Sequence, residues 1–368
     1  MKRLYLCPTL LHLFNCIVLE HSFQDHENAD IWLSDATDFS EKVEPLRRCG
    51  LFREVHFLAI QPPLEALKAM PEKNAKQDIM KRPLSYFTEV AQLLEDPERV
   101  YDTVYTNQDS YFSKAVYYCM VEKGQLPVIH FVSEGTASYA IDLSNTAKDW
   151  MPHEYYGEAA YVKRLGELWS YIPELYSGGV ETLVQKRLPS TVMTDDNLRG
   201  ILRSVYGEIP AFSQKVVLFE GAFMGDSILT NEMNLFLTVA EKVGKENVIV
   251  KRHPRNPFDR WTPMGFAVME NFTVPWEIML MDMDVSDKLL VSVASFTCLS
   301  PMEMYHKQTN AILLQPLMLG RAYFLQEAAV KVLQKSIEYF SEQGYMVRSP
   351  RSYEELDSIL NYLGAAKQ

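Results

Sequence analysis

The sequence predicts an α/β chain made of two doubly wound domains, each built on a parallel sheet, and three observations lead there. Short apolar runs alternate with longer stretches of helical period in both halves. The length, 368 residues, is more than one hydrophobic core ordinarily serves. The alternation breaks between residues 150 and 200, where aromatic and charged residues mix, and then restarts.

In the first half, strands are expected at 4–7, 30–33, 55–60, 103–105 and 127–132, and helices at 64–70, 84–94 and 111–122. The opening Met1-Lys2-Arg3 and the apolar run to Leu19 imitate a signal peptide. Pro8, His12 and Asn15 interrupt that run, and residues 19–22 offer no small-x-small cleavage site. A buried strand turning at Pro8-Thr9 into an amphipathic helix is therefore expected. The expected fifth strand runs into Ser133-Glu134-Gly135, which places an acid and a close-approach glycine at the sheet's binding edge.

Trp150, Tyr155, Tyr156, Tyr161, Trp169, Tyr171 and Tyr176 follow, suited to packing between domains or to stacking on a sugar. The domains expected are residues 1–185, a connection at 186–212, and residues 213–368. In the second half, strands are expected at 216–219, 248–250, 288–293 and 311–314. Helices are expected at 230–243, from Pro301, at 326–340 and at 353–363. Ser300-Pro301-Met302-Glu303 and Ser352 to Glu355 read as capping boxes.

The stretch 248–301 organises this half. A β-branched run delivers Lys251-Arg252-His253-Pro254-Arg255 to a strand's carboxyl end, where open α/β sheets bind ligands. Glu277 follows, and then Ser295-Phe296-Thr297, whose hydroxyls suit an anion at the start of a helix. A basic cluster with one imidazole, followed by hydroxyls, is chemistry for a phosphate.

Composition narrows the partners. Acidic residues outnumber basic ones, 48 to 36, so the chain's field repels polyanions and argues against nucleic acid. An anionic ligand must be held by local groups. Five cysteines, at 7, 16, 49, 119 and 298, include no CxxC pair, which points to reduced thiols, a cytoplasmic compartment and no zinc site. There is no P-loop and no GxGxxG.

The ordered set of Ser133-Glu134-Gly135, His253-Pro254 and the Ser295 cluster resembles the motifs of bacterial sialyltransferases. With Leu4-Tyr5-Leu6-Cys7-Pro8-Thr9 and the Lys-x-His-Pro-Arg form, the resemblance is nearest to the lipooligosaccharide sialyltransferases of glycosyltransferase family 52, relatives of the bacterial polysialyltransferases. It implies a GT-B architecture with two Rossmann-like domains facing a central cleft, the first on the acceptor side and the second holding the nucleotide sugar. It also implies inverting transfer from CMP-sialic acid to a glycan hydroxyl, galactosyl above all, with no metal and no cofactor. Lipooligosaccharide or capsular polysaccharide would be the cell-surface product. A cytoplasmic enzyme is expected, and peripheral attachment at the inner membrane face and a homodimer are both compatible with that.

By the same resemblance, Glu134 is the base, His253 contacts the leaving phosphate, and Ser295 binds it. Lys251, Pro254, Arg255 and Glu277 lie toward the nucleotide, with Gly135 and Thr9 near the substrate. The family's second serine is replaced by Phe296, which turns attention to Thr297. Asp226, in Gly225-Asp226-Ser227, is a rival base. The alternatives are a GT-B transferase using a nucleotide diphosphate sugar and a non-catalytic nucleotide- or glycan-binding protein of the same fold.

Overall fold

A computed structural model describes residues 1–368 except 108–109, 142–152, 208, 210, 223–225, 257, 270–273, 319–326 and 366–368, with the backbone alone at 73–74, 153–154 and 226–230. The chain divides into two compact units, Met1–Gly207 and Glu208–Gln368.

The first unit carries a seven-stranded sheet among its described residues. Its strands are β1 (Arg3–Cys7), β2 (Ala29–Ser34), β3 (Glu54–Leu58), β4 (Thr103–Thr106), β5 (Val128–Val132), β6 (Leu165–Ser170) and β7 (Val184–Arg187). They lie in the order β3-β2-β1-β4-β5-β6-β7, and every pairing is parallel. β1, β2 and β4 are buried at every position, as strands covered on both faces must be.

The helix Leu10–His21 is not amphipathic: it is buried from His12 to Glu20. It packs against the sheet on one side and the helix Asp196–Tyr206 on the other, so it has no solvent face. Its polar residues are paired instead. Glu20 takes Arg3 Nε at 3.0 Å and the Tyr5 hydroxyl at 2.8 Å.

Residues 150–200 hold more regular structure than expected. β6 and β7 extend the first sheet, but Gly166 and Glu167 in one and Gln185-Lys186-Arg187 in the other hide the strand pattern. The described aromatic residues other than Tyr155, which is exposed, pack within the first unit. Tyr156 stacks on Tyr118 at 4.2 Å, Tyr161 meets Tyr117 edge-on at 5.4 Å, and the Tyr171 hydroxyl donates to Asn15 Oδ1 at 2.9 Å. Trp150 lies outside the described residues.

The second unit carries a six-stranded sheet among its described residues. It comprises β8 (Val216–Phe219), β9 (Val248–Lys251), β10 (Ala267–Met269), β11 (Leu289–Ser292), β12 (Asn310–Leu313) and β13 (Met346–Arg348). The order is β10-β9-β8-β11-β12-β13, again parallel throughout. Its core packs Val216, Leu218, Val250, Val291 and Ile312 against Phe236, Val239 and Leu360. No helix among the described residues is long and apolar enough to cross a membrane.

Candidate active site

In a parallel sheet, loops leaving the carboxyl ends gather along one edge, and a crevice opens where the strand order reverses. In the first sheet that point lies beside β1, which has β2 on one side and β4 on the other. Leu6 is in register with Trp32 and Thr106, and Thr106 with Phe131. Thr9, Asn107 and Glu134 therefore leave neighbouring strand ends together.

They meet. The Thr9 hydroxyl donates to Glu134 Oε1, and Asn107 Nδ2 donates to Oε2 at 2.5 Å. Thr9 Oγ1 also accepts the His12 N–H at 3.2 Å, capping the helix Leu10–His21. The Glu134 N–H donates to Ser138 Oγ at 2.8 Å, and the Ser133 carbonyl takes Asn15 Nδ2 at 2.6 Å. Gly135 sits at φ 93°, ψ −156°, a conformation essentially reserved for glycine. A half-buried carboxylate is thus fixed at both oxygens by neutral donors, and the residue after it must be glycine.

Behind Thr9, Cys7, His12 and Cys16 form a wholly buried cluster. The sequence separates the two cysteines by a strand end and a helix turn, so they read as scattered. Burial alone would raise the Cys16 thiol, but contact with Cys7 and the neighbouring His12 outweigh it and bring Cys16 down to about 6.

In the second sheet the order reverses beside β8, and Lys251, Phe219 and Ser292 stand side by side in register. The loops that follow, beginning at Glu220, Arg252 and Val293, share one edge. Glu220, 3% exposed, ties down the loop that follows β9. Its carboxylate accepts the His253 N–H at 2.9 Å, Trp261 Nε1 at 2.8 Å and Arg260 Nε at 3.1 Å. Asn256 Nδ2 reaches the Gly221 carbonyl at 3.0 Å.

His253 lies in the turn so held. The Arg255 N–H donates to its Nδ1 at 3.1 Å, so the neutral ring carries its proton on Nε2. Burial, reinforced by Arg255 and Lys251, lowers its pKa to about 4. The imidazole of the basic cluster is therefore a neutral N–H donor, not a cation. Lys251 is also lowered by burial, with Glu277 opposing. Pro254 and Arg255 are exposed.

The Ser295 hydroxyl donates to Thr297 Oγ1 at 2.9 Å, while Phe296 is buried. They belong to a short 3₁₀ turn, not to the start of the helix Ser300–Tyr305. Ser300 does not cap that helix. Its hydroxyl donates to Glu277 Oε1 at 2.9 Å, and Glu277 is only 4% exposed. Asp226 is the first residue of the helix Asp226–Val243, and its side chain lies outside the described residues. Ser352 does cap the final helix, accepting the Glu355 N–H at 3.2 Å.

Three contributors escaped the sequence reading. Asn107 follows a strand that the reading ended at Tyr105, Glu220 directly follows the strand expected at 216–219, and His12 read as an interruption of an apolar run. A polar residue directly after a buried strand is the signal all but His12 share.

No family model matches the sequence, and no curated protein matches it. Solved structures are similar to it in fold. Arabidopsis thaliana UGT89C1, complexed with UDP, is 12% identical with a TM-score of 0.52, covering 99% of this chain and 90% of that one. The UDP-GlcNAc 2-epimerase of Methanocaldococcus jannaschii, in complex with UDP-GlcNAc and UDP, is 11% identical with a TM-score of 0.52, covering 100% and 94%. A sialyltransferase from Photobacterium damsela reaches a TM-score of only 0.46 at 10% identity, covering 94% and 81%, too weak a likeness to bear on the reaction. The fold is GT-B, with two parallel-sheet α/β domains.

Proposed function

We propose that the chain is an inverting, metal-independent sialyltransferase that moves sialic acid from CMP-sialic acid to a glycan hydroxyl. The observation that carries this reading is the donor set at the carboxyl edge of the second sheet: Lys251, His253 with its proton on Nε2, and the paired hydroxyls of Ser295 and Thr297. CMP departs with a single phosphate, so its leaving charge can be met by N–H and O–H donors without an ion bridging a diphosphate. A neutral imidazole suits a group whose hydrogen bond strengthens as that charge develops, because its gain falls on the transition state.

Glu134 is the proposed base. A carboxylate fixed at both oxygens keeps its remaining lone pairs in a defined direction for the acceptor's proton. Asp226 is the rival. Lys251, Pro254, Arg255 and Glu277 are assigned to the nucleotide side, and Gly135 and Thr9 to the substrate side. The resemblance of the ordered motifs supports sialic acid as the sugar, with a cytoplasmic enzyme building a surface glycan.

Thermal melts with CMP, UDP and GDP in the absence of added divalent ions test the donor. At about 100 times its dissociation constant, CMP should add about 2.7 kcal/mol of stability. A shift with UDP or GDP alone, or one that requires magnesium, would transfer the chain to the nucleotide diphosphate sugar class.

A further inference from the structure

We propose that Cys7, His12 and Cys16 form a binding site for a thiophilic divalent cation of the zinc type, with three protein ligands and an open fourth position. All three side chains have 0% exposure, and one ligand atom from each lies within 4.8 Å of the others. Cys16 Sγ stands 3.6 Å from His12 Nε2 and 3.8 Å from Nδ1. In a tetrahedral zinc site, bonds of about 2.3 Å to sulfur and about 2.0 Å to nitrogen separate those two ligand atoms by roughly 3.6 Å. The distance to Nε2 matches that spacing, and because Sγ stands nearly as close to Nδ1 the ring must turn to aim one nitrogen lone pair at the ion.

The fold supplies the ligands economically. His12 and Cys16 are four residues apart on one face of the helix Leu10–His21, and Cys7 ends β1 just before the turn into it. Charge balances as well, since two thiolates neutralise a divalent cation and leave no net charge in a dry interior. Binding displaces two protons: one from Cys7 and one from the Cys16–His12 pair, whichever of that pair holds it. Nothing is oxidised or reduced.

An ion there would clamp the end of β1 to the first turns of the helix on either side of Thr9, whose hydroxyl donates to Glu134. Its role would be to brace the turn. The site is independent of the transfer reading and would stand if that reading fell.

The test uses the full-length, reduced protein titrated with Co²⁺. The expected result is thiolate-to-cobalt charge-transfer absorption with tetrahedral ligand-field bands, saturating at one equivalent, and loss of both when Zn²⁺ displaces the cobalt. Zinc addition in weak buffer should release two protons per ion, a readout on the wild-type chain that needs no variant. Cys16→Ser should lose the charge-transfer band, and Cys298→Ser should keep it. Absence of a sulfur-to-cobalt band in the folded wild-type protein overturns the proposal. So does a Cys7–Cys16 disulfide found by thiol titration of the unreduced, denatured chain.

Discussion

The carboxyl edges of the two sheets each hold a carboxylate, and the two are treated in opposite ways. Glu134 is half-buried and touched by a hydroxyl and an amide, both neutral. Glu220 is almost wholly buried and takes a guanidinium, an indole N–H and a backbone N–H. A carboxylate paired with a cation and two N–H groups in a closed interior is held out of reach of a substrate, and it serves as a bracket. One steadied by neutral donors, with part of its surface open, retains the capacity to accept a proton. The same residue type at the same place in two sheets is thus left open at one and fastened down at the other, and the first is the proposed base.

That contrast is broken most sharply at Glu134. Glu134→Gln keeps the shape while removing proton acceptance, and transfer should fall on the order of 100 to 10,000-fold with CMP affinity and melting temperature nearly unchanged. Steady-state kinetics beside thermal melts read this out. Asp226→Asn should have the smaller effect; a dead Asp226→Asn beside an active Glu134→Gln would exchange their roles.

His253→Ala comes next, with turnover expected to fall on the order of 100 to 1,000-fold and CMP binding weakened far less. Turnover and CMP titration on the same preparation separate the two terms. Near-normal turnover would reduce His253-Pro254 to a turn held by Glu220.

Glu220→Gln sharpens the other side of the comparison. A glutamine turns an NH₂ toward the donors of Trp261 or Arg260, so unfolding stability should drop by about 1.5–3 kcal/mol. Denaturant melts measure it. Activity should follow the population of folded protein; a stable but inactive variant would make Glu220 part of the chemistry.

Much of this was legible from residues alone. Both sheets announced themselves through short apolar runs, since strands covered on both faces read as continuous hydrophobic segments. Ser295 with Thr297 and the His253 loop also followed from pattern. What escaped has physical reasons. β7 is the edge strand of the first sheet and β6 its neighbour, both only partly buried and so tolerant of polar residues, and Gly166 breaks β6's pattern further. The partners of Glu134 come from residues 9 and 107, a pairing that only strand order creates. The neutrality of His253 depends on burial and on neighbouring cations, which no local motif encodes.

A donor screen tests the central claim most directly. The purified chain is incubated with CMP-sialic acid, UDP-sugars and GDP-sugars, with no added divalent ion, and release of nucleotide and transfer to a galactoside are both measured. The account predicts CMP release and sialylated product from CMP-sialic acid alone. Turnover of a UDP- or GDP-sugar instead, or binding of CMP-sialic acid without turnover, would contradict it.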